Sequence, residues 1–134
     1  MSVPESKRGH GRFEVLINAN ELAIYTIRIT SNPKTFSEQY KSALTDDIVR
    51  TAKDIYIKAK AANDIRVAGS EHNAQERKRL QEEAITDCNT LLALMDIAKR
   101  VFHLTSKRIE YWGRMTIKTR DGIRRWKDSD SRRR

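Results

Sequence analysis

No proline follows Pro33, and no glycine interrupts the chain between Gly11 and Gly69 or between Gly69 and Gly113. Proline and glycine are the residues that end helices at least cost elsewhere, so their absence leaves the backbone free for long helices. The apolar residues agree, because they recur at spacings of three and four and show no strand alternation of competing length.

From Phe13 a stripe runs through Leu16, Ile17, Ala23, Ile24 and Ile27, with Asn20 filling the middle step, and stops at Thr30-Ser31-Asn32-Pro33. This predicts a first helix over 12–31 with that stripe in the core. A buried Asn20 would need hydrogen-bond partners for its amide. After Phe36 a second run, Tyr40, Leu44, Ile48, Ala52, Ile55, Tyr56 and Ala59, predicts a helix over 37–64. Ser37 is a suitable N-cap, and Thr45-Asp46-Asp47 is an alternative restart after a bend.

Residues Val67 to Asn73 read as a loop, and a third helix is expected from about Ala74. It opens on the polar string Gln75-Glu76-Arg77-Lys78-Arg79. Its stripe is Leu80, Ala84, Ile85, Cys88, Leu91, Leu92, Met95, Ala98 and Phe102. At roughly 30 residues it would be about 45 Å long, enough for the second helix to lie antiparallel along it. Leu104-Thr105-Ser106 makes a turn with Thr105 or Ser106 as cap, and a fourth stripe follows: Ile109, Trp112, Met115 or Thr116, Thr119, Ile123 and Trp126. The expected fold is all-α, an antiparallel up-down-up-down four-helix bundle over residues 13–127 between flexible tails at 1–12 and 128–134.

Several chemistries lack their hardware in this sequence. No phosphate-cradling glycine loop, dinucleotide fingerprint or nucleophile elbow occurs, which removes the usual cofactor-binding signatures and predicts a non-enzyme without cofactor. His10, His72 and His103 fall in a tail, a loop and a helix end, without Cys or carboxylate partners at ligand spacing, so no metal site is expected. Asp46-Asp47 and Glu82-Glu83 are adjacent pairs, which point about 100° apart on a helix and make no dyad. Cys88 is the one cysteine and sits in apolar register, as a buried small hydrophobe would; a reducing cytoplasm suits a chain with no possible internal disulfide. No signal peptide or membrane span is expected.

Charge is the feature that remains. Residues His103 to Arg134 hold eleven Lys or Arg against four acids, +7 of the chain's net +9, together with both tryptophans. The tryptophans are two heptads apart and so share a face, which makes them packing anchors and leaves the opposite arc to the cations. Glu110-Arg114 and Asp121-Arg125 have the spacing of intrahelical ion pairs. Arg114, Lys118, Arg120, Arg124, Arg125 and Lys127, with Arg132, Arg133 and Arg134 at the end, are the candidate contacts to nucleic acid or to an acidic protein partner. Arginine predominates among them, which suits phosphate through its planar donor fork. Tyr111, off the main stripe, reads as a core or subunit contact before a base-stacking residue.

The order Ala19-x-Glu21-Leu22 with Tyr25, Phe36 after a short break, Tyr40-x-x-x-Leu44-Thr45-x-x-Ile48, Leu94-x-x-x-Ala98-x-x-x-Phe102-x-Leu104, and a closing helix through Ile123 and Trp126 resembles a known group. It is similar to the four-helix-bundle proteins related to the ribosomal-RNA intervening-sequence proteins, and within them to the accessory variability determinants of diversity-generating retroelements. The resemblance covers roughly 13–127. Ala59-Lys60-Ala61-Ala62-Asn63 stands where the intervening-sequence proteins carry an Asn-Ile-Ala-Glu-Gly-like stretch, which favours the accessory branch. The resemblance implies a non-enzymatic homo-oligomer, a pentameric ring, that partners a reverse transcriptase and its template RNA. The basic positions carried over are Arg114, Lys118, Arg120, Arg124 and Arg125.

Overall fold

The computed structural model describes residues 11–133, and every regular element among them is helical. The long helices are α1 (Arg12–Thr30), α2 (Asp46–Asp64), α3 (Glu71–Val101) and α4 (Ser106–Arg133). α1 packs on α2 and α4, and α3 packs on the same two, so all four helices enclose one core. Among the described residues no helix is long and apolar enough to cross a membrane.

α1 turns a different face inward from the one its large residues predict. Of the expected stripe Ala23 is buried and Leu16 is half-buried against the core, with Val15, Ala19, Leu22 and Thr26 buried beside them, whereas Phe13, Ile17, Ile24 and Ile27 are 64%, 55%, 40% and 40% exposed. Asn20 is half-buried. The reason lies on α4, where the two large indoles of Trp112 and Trp126 are buried. Small residues on α1 let the two helices close around these indoles. At Gly122 the approach is tight enough that a Cβ would lie 3.1 Å from Val15 Cγ2. Trp112 Nε1 donates to Thr26 Oγ1 at 3.0 Å, so the one polar atom of the indole is satisfied inside the core.

The expected helix over 37–64 is broken near its start. Ser37 makes no side-chain cap bond; a 3-10 turn (Glu38–Tyr40) and a π turn (Lys41–Thr45) precede α2. The restart at Asp46 is the alternative that holds. Phe36 is buried against Phe102 and Trp112, with ring centroids 4.7 and 6.3 Å apart, and this anchor fixes how the chain enters. The irregular turns then absorb the change of phase, leaving Tyr40 38% exposed while Leu44, Ile48, Ala52, Ile55 and Ala59 stay in the core. Asp46 and Asp47 lie in the first turn of α2, where carboxylates complement the helix dipole.

α3 begins at Glu71, three residues earlier than expected, because Ser70 is its cap: the side chain accepts from the Asn73 N–H at 3.1 Å. Its buried positions Arg77, Gln81, Ala84, Cys88, Leu91, Met95 and Ala98 are spaced alternately by four and three. Past the C-cap Phe102 the chain turns at His103, whose φ of 54° is left-handed, with the Leu104 N–H returning to the Lys99 carbonyl at 3.0 Å. Thr105 caps α4 by accepting from the Arg108 N–H at 3.2 Å.

The boundary expected at residue 127 does not hold, since α4 stays helical to Arg133. Asp130 explains the extension. It accepts from Arg77 Nη1 at 3.4 Å and Gln81 Nε2 at 3.1 Å, which ties this end of α4 to α3.

Candidate nucleic-acid interface

The cations of α4 divide into two groups according to which neighbour they face. Arg120 donates to Asn89 on α3 at 3.0 Å and to Asp121 at 3.2 Å; Lys127 reaches Glu82 on α3 at 3.5 Å; Arg124 lies 3.7 Å from Asp121. The spacing-of-four pairs leave these three without a partner on α4. Neither expected pair, Glu110-Arg114 or Asp121-Arg125, forms, and Asp121 is taken by Arg120 and Arg124. Three of the predicted contact residues are therefore engaged within the chain.

The others lie on the far side. Arg114, Lys118, Arg125 and Arg132 are exposed and make no ion pair among the described residues. At 100° per residue they fall within a narrow arc of α4, and at 1.5 Å per residue the row spans about 27 Å. Lys107 extends it by one step and Arg133 lies beside Arg132; both are exposed. Arg134 is outside the described residues. Such a row gives a polyanion a line of donors that no ion pair among the described residues occupies.

Next to the row, Asn18 and Glu21 of α1 and Tyr111, Arg114, Met115 and Lys118 of α4 line a shallow groove. Tyr111 is 53% exposed and meets Tyr25 edge-on, centroids 5.1 Å apart. Partial burial raises the Tyr25 hydroxyl pKa against the opposing pull of Arg108, so it stays a protonated donor at neutral pH. Trp112 and Trp126 are buried and serve as packing anchors, as their heptad spacing predicts.

No group of three His, Cys, Asp or Glu able to hold a metal occurs among the described residues; His10 is outside them. The adjacent carboxylates act separately. Asp46 pairs with Lys41 at 2.9 Å and Asp47 with Arg50 at 2.7 Å, while Glu82 faces Lys127 and Glu83 faces Lys58 at 3.6 Å and Arg79. Cys88 is fully buried, and burial pushes its thiol up to about 12, far from a nucleophile's range.

Two exposed cations of this surface escaped the sequence reading. Lys107 shares the phase of Arg114, which angular bookkeeping along α4 reveals. Arg12 faces Arg125, Arg132 and Arg133 across a cleft, and no signal within α1 alone shows this. No protein-family profile, curated protein or solved structure matches this chain, so the interface is read from its own chemistry.

Proposed function

We propose that the protein is a non-enzymatic accessory scaffold of a diversity-generating retroelement. It binds RNA and a reverse transcriptase in the cytoplasm and supports template-directed mutagenic cDNA synthesis. The observation that carries the RNA-binding part is the row Arg114, Lys118, Arg125 and Arg132, which is exposed and makes no ion pair among the described residues. The retroelement setting, the polymerase partner and the bundle topology, antiparallel and up-down-up-down, rest on the family resemblance and on the helix order.

Homo-oligomerisation is part of the same proposal, a pentamer by resemblance. Phe13, Ile17, Asn20, Ile24 and Ile27 are spaced by four and three, a heptad seam on the outer face of α1. One polar Asn within an apolar seam is a known device for fixing register and subunit number. A second copy covering this face would repeat the cationic row around the assembly. Light scattering is the direct check; a monomer at micromolar concentration would remove the ring.

RNA binding has a sharp test in ionic strength. Each neutralised phosphate releases counterions, so affinity for single-stranded RNA should fall steeply as salt rises. An affinity indifferent to salt would end the RNA reading. A second reading, an adaptor that docks an acidic protein without RNA, draws on the exposed Tyr111 and Ile117 beside the row. The combined substitution Arg114→Glu, Lys118→Glu, Arg125→Glu separates the two. RNA binding lost with partner binding intact supports the first reading; partner binding lost in a protein that never bound RNA supports the second.

A further inference from the structure

At the end of α4 the cationic row meets the start of α1 and becomes two-sided. A cleft of about 550 Å³ opens there, with Arg12 on the α1 side and Arg125, Arg132 and Arg133 on the α4 side. All four arginines are exposed and make no ion pair among the described residues. The acid in the lining, Asp130, is already held by Arg77 and Gln81, so it leaves the four arginines uncompensated. Gly11, the N-cap of α1, supplies no side-chain cap, and the first-turn N–H groups of that helix add positive potential on the same side.

Resting on the RNA-binding reading above, we propose that this cleft clamps about four consecutive phosphates of a single nucleic-acid strand whose remainder follows α4. Arg125 and Arg132 are seven residues apart, so they lie on one face about 10 Å from each other. That is about three steps of a stacked strand at roughly 3.4 Å per nucleotide. Arg12 and Arg133 close on the strand from the sides. Trp126 forms the floor, but it is only 5% exposed and sits under the Arg77 guanidinium at 5.9 Å, so it offers no face for a base to stack on. The clamp therefore reads the backbone and is indifferent to sequence.

The test compares the full chain with the variant Arg12→Gln, Arg132→Gln, Arg133→Gln, which leaves Arg114, Lys118 and Arg125 in place. Fluorescence anisotropy with two labelled single-stranded RNAs of unrelated sequence gives affinity against salt. Each phosphate contact contributes about 0.7 to the slope of log affinity on log salt, so losing three should make it shallower by about 2, equally for both RNAs. The replaced side chains are exposed, and helix content and melting should match the parent. A parent that binds with steep salt dependence and a variant with the same slope would overturn the clamp and spare the RNA-binding reading. A parent with no salt dependence would overturn both. A loss confined to one RNA sequence would replace the backbone clamp with base recognition.

Discussion

The start of α3 and the outer face of α1 invert the usual rule of inside and outside. Arg77 is 8% exposed, while Phe13 is 64% exposed. Arg77 is inside because its surroundings require a donor. Its Nε and Nη2 donate to the Ala62 and Ile65 carbonyls, where α2 ends, and its Nη1 meets Asp130 from α4. The Ala62 carbonyl also accepts from the Ile65 N–H at 3.3 Å, and one guanidinium serves both carbonyls at this helix end while it lies over Trp126. Phe13 and the isoleucines are outside because four helices offer α1 only two neighbours, and its smaller face fits them better. Neighbours needing donors or small side chains decide burial here more than the hydropathy of each residue does.

The largest effect should come from breaking the inside half of that comparison. Arg77→Ala removes the donor of the Ile65 carbonyl, one of two donors of the Ala62 carbonyl, and the cation paired with Asp130, and breaking a buried pair of this kind costs about 3–5 kcal/mol. Urea unfolding should show it, and amide exchange near Asp130 should show the last turns of α4 fraying. An unchanged midpoint would mean that water replaces the guanidinium at little cost. Thr26→Val tests the core where α1 is buried. It keeps the shape but removes the acceptor of the Trp112 N–H, for about 1–3 kcal/mol. Thr26→Ser should recover part of that loss.

The sequence stripes locate the four helices and most of their inward faces, and the reasons for the failures are physical. On α1 two stripes each satisfy a heptad: 13-17-20-24-27 and 15-19-22-26. Counting hydrophobicity favours the first, but the Trp112 and Trp126 indoles require the second, and that requirement lies 86 residues away at the Trp112–Thr26 contact. On α3 the alternation of four and three through Ala84 and Cys88 extrapolates back to Gln81 and Arg77. Their polarity hides a register that was there to be read. On α4 the spacing-of-four rule selects Asp121-Arg125, yet Asp121 has nearer claimants in Arg120 and Arg124. Which cations are free depends on Asn89 and Glu82 of α3, and α4 alone carries no record of them.

A smaller effect sharpens the comparison at the other end of α3. His103 holds a left-handed φ of 54° at the position where glycine normally closes a helix. The side chain is exposed. His103→Gly should therefore stabilise the chain by about 0.5–1 kcal/mol through relief of that conformation, read as a rise in melting temperature. A fall would show that the imidazole makes a stabilising contact that outweighs the strain.

The smallest effect on the single chain belongs to the outer face of α1. Ile17 and Ile24 are 55% and 40% exposed, so Ile17→Gln with Ile24→Gln should change the stability of the isolated chain by no more than about 0.5 kcal/mol each. The same pair should matter far more between copies. If a second chain covers the seam, native-state association is linked to folding, and the melting temperature of the parent rises with protein concentration. The double variant should lose that dependence and converge on the parent's low-concentration value. A parent whose melting ignores concentration would leave Phe13, Ile17, Ile24 and Ile27 as bare surface. The contrast with Arg77 would then lie wholly within one chain, with hydrophobic residues displaced outward by the packing demands of two tryptophans and never recovered by a partner.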